Sequence, residues 1–364
     1  MLKVAFNGRF SGTSQPTGTQ TASFQLFDAI LRERRDFEVV VFADSRFPGI
    51  REWEDLPLVT TVEVPFQDWS RERAQLWEQR DLPRLCRQQQ CTVAHHPMTT
   101  SPLWRNGVRS IVTLHDLNFY LHPEWFSRAF RLAYAVCAVP ALKRADRVVA
   151  ISRYVRERAN QHFQLEAERL RMIYNGVKSL PLAVLRSAAP YLLCVGSLQP
   201  NKNLARMIKA FLRVKADFPG LELHVVGRPQ ARFASDTDLP SLLSAPGVKL
   251  LGYLSEADLA SAYAGAAVFC YPSLEEGFGL PILEAMMQET LVLTSNVSCL
   301  PEVAGPATLV DPFSVDAISM GVMKLLRLQD TERKREIEKA RAWASNFTWQ
   351  AAAREYIALY REFR

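Results

Sequence analysis

The feature that most constrains the fold is an alternation of short apolar strands with longer helical stretches, which occurs twice along the chain. Strand-like runs recur as LKVAFN, FEVVVFA, TVAHH, RSIVTLHD and DRVVAIS, and later as YLLCVG, LELHVVG, VKLLGY, AAVFCYP and ETLVLTS. Stretches of helical character follow at residues 23–34, 125–144, 204–218, 255–264 and 281–287. Alternating strands and helices favour parallel sheets that are covered on both faces. The sequence therefore predicts an α/β protein made of two doubly wound domains.

The domain boundaries are predicted from the break between the two sets of strands. After Asn175-Gly176 the chain becomes irregular and contains prolines as far as residue 190. We expect a first domain over 1–177, a linker over 178–190, a second domain over 191–345, and a C-terminal helix over 346–364 that packs back on the first domain. Two such domains are expected to face one another across a cleft, because ligands of doubly wound sheets bind beyond the carboxyl ends of the strands.

The composition fits a soluble protein of the cytoplasm. The 364 residues are 48% apolar and 23% charged, and no apolar run reaches the roughly 18 residues of a membrane-spanning helix. Six cysteines are scattered without a C-x-x-C pair, which favours reduced thiols over disulfides or a metal site. The formal net charge of +6 fits an anionic substrate, a nucleic acid or an acidic membrane surface. Nucleic-acid binding has only this charge in its favour, so we predict none.

The stretch YPSLEEGFGLPILEAM, residues 271–286, joins a strand, a glycine-rich turn and a helix. Such a turn is an anion site, because N–H groups at a helix start point at the ligand, and we expect those of 277–283 to point outward. Pro281 suits the first helical position. Glu276 and Glu284 flank the turn. The alternatives are that Glu276 is a solvated loop acid and that Glu284 only gains from the helix dipole. A diphosphate between two polyols would use both the amides and these carboxylates, whereas Glu275 is interpreted as a loop acid.

A second strand–turn–helix unit is YLLCVGSLQPNKNLARMIKAF, residues 191–211. Its strand ends at Gly196, and Lys202 comes just before the expected helix start. The ammonium group and the helix N-terminus could therefore share one phosphate, although a surface lysine is the alternative. The strand ends at His115, Gly227 and Glu276 are expected to meet Gly196 at the cleft.

Three further features are ambiguous from the residues alone. His115 and Asp116 directly follow a strand. They are either a structural pair or a group that contacts a hydroxyl substrate. The D-T-D at 236–238 has the form of a metal-binding motif but lies in a polar loop, so no metal site is predicted. The segment 67–89 has two tryptophans among many arginines, as membrane-surface helices do. We favour a packed helix with a basic solvent face there.

These motifs resemble the retaining family-4 glycosyltransferases of the GT-B fold. The resemblance is carried by VGSLQPNKNLARMIKAF, EEGFGLPILEA and NGV, and also by NGRF…PTGTQTASFQLFDAIL, WEQRDLP, HDLNFYLHP, RVVAISRYVRE and the final FTW helix. It covers nearly the whole chain, and the E-x7-E segment with its glycines is its most specific part. It implies two Rossmann-like domains, a nucleotide-sugar donor held mainly by the second and an acceptor held mainly by the first. The implied activity is transfer of a hexosyl unit from a GDP- or UDP-sugar to a hydroxyl, with retention and without a cofactor, in polysaccharide or glycoconjugate synthesis of bacterial type.

The resemblance also implies roles for residues at matching positions. Glu276 is implied to lie beside the donor sugar, Lys202 to bind the diphosphate and His115 to bond a sugar hydroxyl, and we expect these three to be catalytic. Glu284 is implied to bind the ribose hydroxyls. The expected donor site comprises Gly196, Ser197, Lys202, Gly227, Arg228, Gly252, Tyr253, Glu276, Gly277, Phe278, Gly279, Leu280 and Glu284. The expected acceptor side comprises Gly18, Thr19, His115 and Asp116.

Two positions depart from the family pattern. Ser197 stands where many members have an arginine, which leaves Arg206 or Arg228 to supply a second cation. Thr21 replaces an arginine of the N-terminal loop, so a glycan, a lipid-linked saccharide and a small molecule all remain open as acceptors. A sugar-nucleotide epimerase, a phosphorylase and a catalytically silent nucleotide-sugar-binding subunit are the alternative functions. A peripheral contact at the inner face of a membrane is compatible with the charge.

Overall fold

The computed structural model describes residues 2–104, 107–178, 180, 190–228 and 238–364. By their contacts, the residues form two compact units. Unit 1 comprises Met1–Leu117, Arg131–Gly176 and Thr348–Arg364, and unit 2 comprises Asn118–Phe130 and Val177–Phe347. The units differ from the expected domains at Asn118–Phe130, which follows the first sheet in sequence but belongs to unit 2.

All strands are short, and those in the interior of each sheet are predominantly buried, whereas several at the sheet edges are partly exposed. They are β1 (Lys3–Asn7), β2 (Glu38–Ala43), β3 (Val59–Glu63), β4 (Val93–His96), β5 (Arg109–Leu114), β6 (Arg147–Ala150), β7 (Leu170–Met172), β8 (Tyr191–Val195), β9 (Glu222–Val226), β10 (Val248–Gly252), β11 (Val268–Tyr271), β12 (Val292–Ser295) and β13 (Thr308–Val310). The helices are α1 (Gly18–Glu33), α2 (Arg71–Gln88), α3 (Asn118–Leu121), α4 (Arg128–Arg144), α5 (Arg153–Phe163), α6 (Leu204–Asp217), α7 (Leu239–Leu243), α8 (Glu256–Gly265), α9 (Leu280–Met287), α10 (Leu300–Ala304), α11 (Val315–Leu326), α12 (Asp330–Ala344) and α13 (Trp349–Arg361).

Unit 1 is built on one parallel sheet in the order β3-β2-β1-β4-β5-β6-β7. Ala5 of β1 pairs with Val40 of β2 on one side and with Ala94 of β4 on the other. The strand order reverses between β1 and β4, which is the topological switch point of this sheet. The C-terminal helix α13 is part of this unit, because the Tyr360 hydroxyl lies 2.6 Å from His95 Nδ1 in its interior.

Unit 2 is built on a second parallel sheet in the order β10-β9-β8-β11-β12-β13. Leu192 of β8 pairs with Leu223 of β9 and with Val268 of β11, so the switch point lies between β8 and β11. Fully buried apolar side chains of α6, including Met207 and Phe211, pack on this sheet. Both sheets have the parallel, helix-covered form that the alternating pattern predicts, and the predicted fold class is confirmed.

Some local boundaries differ from the sequence predictions for identifiable reasons. The first helix starts at Gly18 rather than residue 23, because the Gln20 side chain accepts the Thr17 N–H at 2.8 Å and caps the helix start. Helix α2 contains Pro83 in its interior. The start of α2 is capped by Ser70, whose side chain accepts the Arg73 N–H. Within the described ranges, none of the helices combines the length and the apolar character that crossing a bilayer requires.

Candidate functional site

The candidate site lies at the carboxyl edge of the second sheet, where the strand order reverses. The chain leaves β8 at Gly196 and makes a tight turn over Pro200–Lys202 before α6. It leaves β11 at Tyr271 and runs through the glycine-rich loop into α9. Ligands of doubly wound sheets bind at such a switch point, because the loops of the two strands diverge there and leave a crevice. The structure thus brings the two strand–turn–helix motifs together.

Lys202, Glu276 and Tyr271 form the polar centre of this site. The Lys202 ammonium donates hydrogen bonds to Glu276 Oε1 at 2.6 Å and to the Tyr271 hydroxyl at 2.5 Å. The side chains of Lys202 and Glu276 are only 19% and 11% exposed, so their charges attract each other more strongly than a surface pair would. Burial raises the pKa of Tyr271 well above its ordinary value, and the Glu276 charge adds to the shift. The tyrosine is therefore a neutral hydrogen-bonding partner at neutral pH.

Two asparagines hold the turn that carries Lys202. The Asn201 side chain donates to the Glu275 carbonyl at 3.0 Å, and the Asn201 carbonyl accepts the Leu274 N–H at 2.7 Å. The Asn203 side chain donates to the carbonyls of Pro272 and Pro312 at 2.9 and 2.7 Å. These buried amides fix the turn to the loop after β11 and thereby fix where the Lys202 ammonium lies. Sequence reasoning missed them, although both flank Lys202 in PNKN.

The loop acids have different surroundings from those expected. Glu275, interpreted as a loop acid, is only 8% exposed, and its Oε2 lies 3.9 Å from His122 Nε2. His122 stacks on Trp125 with ring centroids 3.9 Å apart. Glu276 keeps its carboxylate at Lys202, while its N–H donates to Ser298 Oγ at 3.3 Å. The short segment Asn118–Phe130 therefore contacts the glycine-rich loop through Glu275.

Glu284 lies on α9 with its carboxylate against an aromatic hydroxyl. The Tyr263 hydroxyl donates to Glu284 Oε2 at 2.9 Å. Burial raises the pKa of Glu284 above its ordinary value, although the Tyr263 hydrogen bond and the Lys178 charge oppose the shift. Tyr263 was not predicted as a site residue. A carboxylate whose ionised form is disfavoured by burial gains from each hydroxyl that donates to it.

The start of α9 offers fewer free donors than the sequence suggested. The helix begins at Leu280, so Pro281 is its second residue rather than its first. The Ile282 N–H donates to the Gly279 carbonyl at 3.0 Å and does not point outward, so the expectation for 277–283 is wrong at Ile282. Gly279 has φ +95°, a conformation that favours glycine.

Gly227 is required by a close approach of two backbone segments. Its φ is +149°, and a Cβ there would lie 1.9 Å from the Gly196 carbonyl oxygen. Any side chain would push the β9 loop away from the turn after β8. The two glycines thus keep the ends of β8 and β9 close together.

The two candidate second cations lie in different places. The Arg206 guanidinium donates to Asn203 Oδ1 at 2.9 Å and lies 5.9 Å from the Phe313 ring. The Arg228 guanidinium lies 5.9 Å from the Tyr253 ring, and a Cβ on Gly252 would be 4.0 Å from its Nε. Arg228 therefore lies beside Gly252 and Tyr253 of the expected donor site, whereas Arg206 supports the turn. The carbonyl of Ser197 accepts the Gln199 N–H within this turn.

The expected acceptor-side residues all belong to unit 1. His115 directly follows β5 and is 8% exposed, with its Nε2 2.7 Å from the Pro97 carbonyl oxygen. Because a carbonyl only accepts, Nε2 carries the hydrogen and Nδ1 is left as an acceptor. Burial lowers the pKa of His115 to about 4, so the imidazole is neutral at neutral pH. Gly18 and Thr19 open α1, and Asp116 follows His115.

Sequence reasoning missed a buried polar cluster at the switch point of the first sheet. The Glu78 carboxylate accepts from Asn7 at 2.6 Å and from Thr100 at 2.8 Å, and lies 3.6 Å from Arg9 Nε. Asn7 also lies 3.2 Å from His96 Nδ1. The sequence signal was available, since Asn7 and His96 each end a strand.

The D-T-D motif and the segment 67–89 are the two remaining sequence features. The D-T-D at 236–238 lies outside the described residues except for Asp238. Within the part of the chain that the structure describes, no three His, Cys, Asp or Glu side chains group as a metal site would require. The segment 67–89 contains the packed helix that was favoured, with Trp77 6% exposed and Leu82 1% exposed.

Two family models match the chain. Glycosyltransferase Family 4 matches residues 24–179, and Glycosyl transferases group 1 matches residues 184–343. O-antigen chain mannosyltransferase B of Escherichia coli is 31% identical over 280 residues, which are 70% of this chain and 70% of that protein. O-antigen chain mannosyltransferase RfbU of Salmonella typhimurium is 27% identical over 241 residues, 66% of this chain and 65% of that protein.

Solved structures share the fold over the full chain. Sucrose-phosphate synthase of Thermosynechococcus elongatus has a TM-score of 0.75 at 21% identity, covering 100% of this chain and 99% of that chain. Anabaena HepE in complex with UDP-glucose has a TM-score of 0.73 at 20% identity, covering 100% of both chains. Together with the two family models and the O-antigen relative, these likenesses show that the chain belongs to the glycosyltransferases of the GT-B fold, in the family of Glycosyl transferases group 1.

Proposed function

We propose that this glycosyltransferase moves a mannosyl unit from a GDP- or UDP-sugar to a hydroxyl of a glycan or lipid-linked saccharide, with retention of configuration. The observation that carries the proposal is the Lys202–Tyr271–Glu276 centre at the switch point between β8 and β11. It sets a cation and a carboxylate side by side, as a sugar diphosphate requires. The choice of mannose follows from the names of the two O-antigen mannosyltransferases.

The donor roles follow from charge and hydrogen bonding. The Lys202 ammonium has three N–H donors, so it can bind a phosphate oxygen while it keeps Glu276 in place. Glu276 accepts hydroxyls of the hexose, and Glu284 accepts hydroxyls of the ribose. Stabilising the charge that develops on the leaving diphosphate with Lys202 requires no metal ion. Arg228 supplies the second cation near the base and diphosphate.

Retention requires that the acceptor hydroxyl ends on the face from which the diphosphate leaves. The proposed route is attack on that same face, with the departing phosphate accepting the hydroxyl proton. In this route Glu276 orients the sugar and does not form a covalent intermediate. The anomeric configuration of the product, read by NMR, tests this part separately from the activity itself.

The acceptor is assigned to unit 1, and the roles of Gly18, Thr19, His115 and Asp116 there stay predictions. A neutral His115 with an accepting Nδ1 would bind a hydroxyl without titrating near neutral pH. The proposal also places the protein in the cytoplasm with a peripheral contact at a membrane, which the net charge of +6 supports.

The donor test combines binding and turnover. GDP-mannose, UDP-mannose, UDP-glucose, UDP-N-acetylglucosamine and ADP-glucose are compared by calorimetry and by slow release of nucleoside diphosphate without acceptor. Tight binding and diphosphate release with GDP- or UDP-mannose support the proposal. Interconversion of the sugar indicates an epimerase, and binding without turnover on any saccharide indicates a silent subunit. Both of these outcomes overturn the proposed activity.

A further inference from the structure

Helix α4 carries apolar residues on its exposed side as well as on its buried side. Ala138, Ala141 and Leu142 are completely buried, whereas Leu132 and Val136 are 69% and 55% exposed. A spacing of four residues places Leu132 and Val136 next to each other on one face. A helix that is apolar on all sides is typically covered on all sides. The exposed side of α4 therefore indicates a partner.

Trp104 extends the apolar surface at the C-terminal end of α4. Its side chain is 80% exposed. The Arg144 guanidinium donates to the Leu103 carbonyl at 3.2 Å, which places the neighbouring Trp104 beside the helix end. Tryptophan favours a boundary where one part of the ring is apolar and the N–H stays hydrated.

The charges that α4 itself carries all have one sign. Helix α4 contains no acidic residue, and Arg131, Lys143 and Arg144 are exposed beside its apolar face. The next acid in the sequence, Asp146, is already bound, because its carboxylate accepts from Arg109 at 2.9 Å and from the Ser110 N–H. Exposed apolar side chains with basic residues at their margin are typical of helices that lie in the plane of an anionic bilayer.

We propose that this basic–apolar surface, formed by Trp104, Arg131, Leu132, Ala135, Val136, Lys143 and Arg144, docks on an anionic lipid bilayer. The 17 residues of α4 form a rod about 25 Å long, which would lie along the interface. The proposal rests on the proposed function only for its purpose, which is to hold the enzyme where a lipid-linked acceptor lies.

The same observations move the membrane contact away from the segment where the sequence pattern suggested it. In α2, Trp77 and Leu82 are buried in the core of unit 1. The half-buried Trp69 ring is covered by the Arg73 guanidinium, 4.6 Å from its centroid. Leu76 is the large apolar residue that α2 exposes, at 60%. It therefore serves as a matched control for the exposed leucine of α4.

The test is flotation of the full chain with vesicles of phosphatidylcholine alone or mixed with phosphatidylglycerol. Wild type should bind the mixed vesicles and not the neutral ones. The double variants Leu132→Ser/Val136→Ser and Arg131→Ala/Lys143→Ala should each bind the mixed vesicles at least about tenfold more weakly than wild type. Leu76→Ser should bind like wild type. Because every altered side chain is exposed, melting temperatures should stay unchanged.

Several outcomes would overturn the docking proposal. They are equal binding to neutral vesicles, unchanged binding of both double variants, and loss of binding in Leu76→Ser. A wild-type dimer that Leu132→Ser/Val136→Ser abolishes, without vesicle binding, would assign the surface to a second copy instead. Transfer to a soluble saccharide is measured in parallel. If vesicle binding is intact and no transfer is detected, the proposed activity alone is refuted. If transfer is detected and the protein does not bind vesicles, the docking proposal alone is refuted.

Discussion

Replacing Lys202 by methionine is the sharpest test of how the donor site works. Methionine keeps an unbranched stem where the Lys202 side chain passes Gly196, and it removes the ammonium. Glu276 then loses the ammonium at 2.6 Å and keeps a 3.4 Å contact with the Asn201 amide and the hydrogen bond with the Tyr271 hydroxyl. The variant therefore removes the cation of the proposed diphosphate site and leaves a carboxylate poorly paired.

The size of the effect follows from the burial of the pair. Removing one partner of a buried, hydrogen-bonded charge pair costs about 2–5 kcal/mol. Lys202 is 19% exposed and Glu276 11% exposed, so some solvent reaches both and the lower part of that range applies. At about 1.4 kcal/mol per factor of ten, a loss of about 2–3 kcal/mol lowers kcat/KM by about 30- to 150-fold.

The assay is steady-state transfer at saturating acceptor, together with calorimetric donor affinity. Lys209→Met, at an exposed position of α6, is the matched control and should behave as wild type. Glu276→Gln and the double variant complete a thermodynamic cycle. If Lys202 acts only by holding Glu276, the double variant should be no worse than Glu276→Gln. If it also binds the diphosphate, as proposed, the double variant should be clearly worse.

Unchanged kcat/KM and donor affinity in Lys202→Met would refute the reasoning. So would a double variant equal to Glu276→Gln, because the lysine would then be a structural partner of Glu276 and not a ligand of the donor. A drop in the melting temperature of Lys202→Met, even one equal to that of Glu276→Gln, would not decide between a structural partner of Glu276 and a ligand of the donor. Both kinetic outcomes are read at a temperature where all variants are folded.

Three further predictions concern groups with unusual surroundings. Tyr271→Phe removes the hydroxyl 2.5 Å from Lys202 and should lower kcat/KM by about 10- to 150-fold, since a hydrogen bond to a charge contributes about 1.5–3 kcal/mol; an unchanged kcat/KM contradicts this. Because the pKa of Glu284 is raised, protonation on acidification should weaken donor binding, and calorimetry should show a flatter pH profile for Glu284→Gln. The same variant should melt higher than wild type at neutral pH, with the gain vanishing once the carboxyl is protonated. His96 and His115 have a pKa of about 4 in the folded protein, against about 6.5 in the unfolded chain. The stability that each contributes is therefore present above pH 6.5 and lost on acidification, by about 2 kcal/mol each between pH 7 and 5. Urea unfolding of His115→Gln should show a shallower pH dependence than that of wild type.

The sequence predicted the second sheet and its two motif loops because their signals are local. A strand, a glycine and a helix start follow one another within about twenty residues, and each has a recognisable residue preference. The reversal of strand order then brings the Lys202 turn and the Glu276 loop together without further information. Their separation of 74 residues along the chain is bridged by topology alone.

The partners that tune these residues could not be predicted in the same way. Tyr271 reads as one more buried strand residue, and its hydroxyl matters only because the turn 69 residues earlier reaches it. Tyr263 likewise reads as a helix residue until α8 lies against α9 and brings its hydroxyl to Glu284. Glu275 contacts His122 of the segment Asn118–Phe130, whose membership of unit 2 has no signal in its composition. Long-range packing decides all three.

The two glutamates of the E-x7-E spacing are consequently in opposite electrostatic conditions. Glu276 is paired with the Lys202 ammonium. In the proposed donor complex, this ammonium would be shared between the Glu276 carboxylate and a phosphate. Glu284 has a hydroxyl partner and a raised pKa. Each further hydroxyl that donates to its carboxylate would therefore offset part of the desolvation free energy that burial in the folded protein has already cost. A hexose beside the diphosphate suits the first condition, because orientation matters there while charge moves. A ribose suits the second, because it requires binding without chemistry. In the proposed donor complex, the E-x7-E spacing would therefore separate orientation at Glu276 from affinity at Glu284.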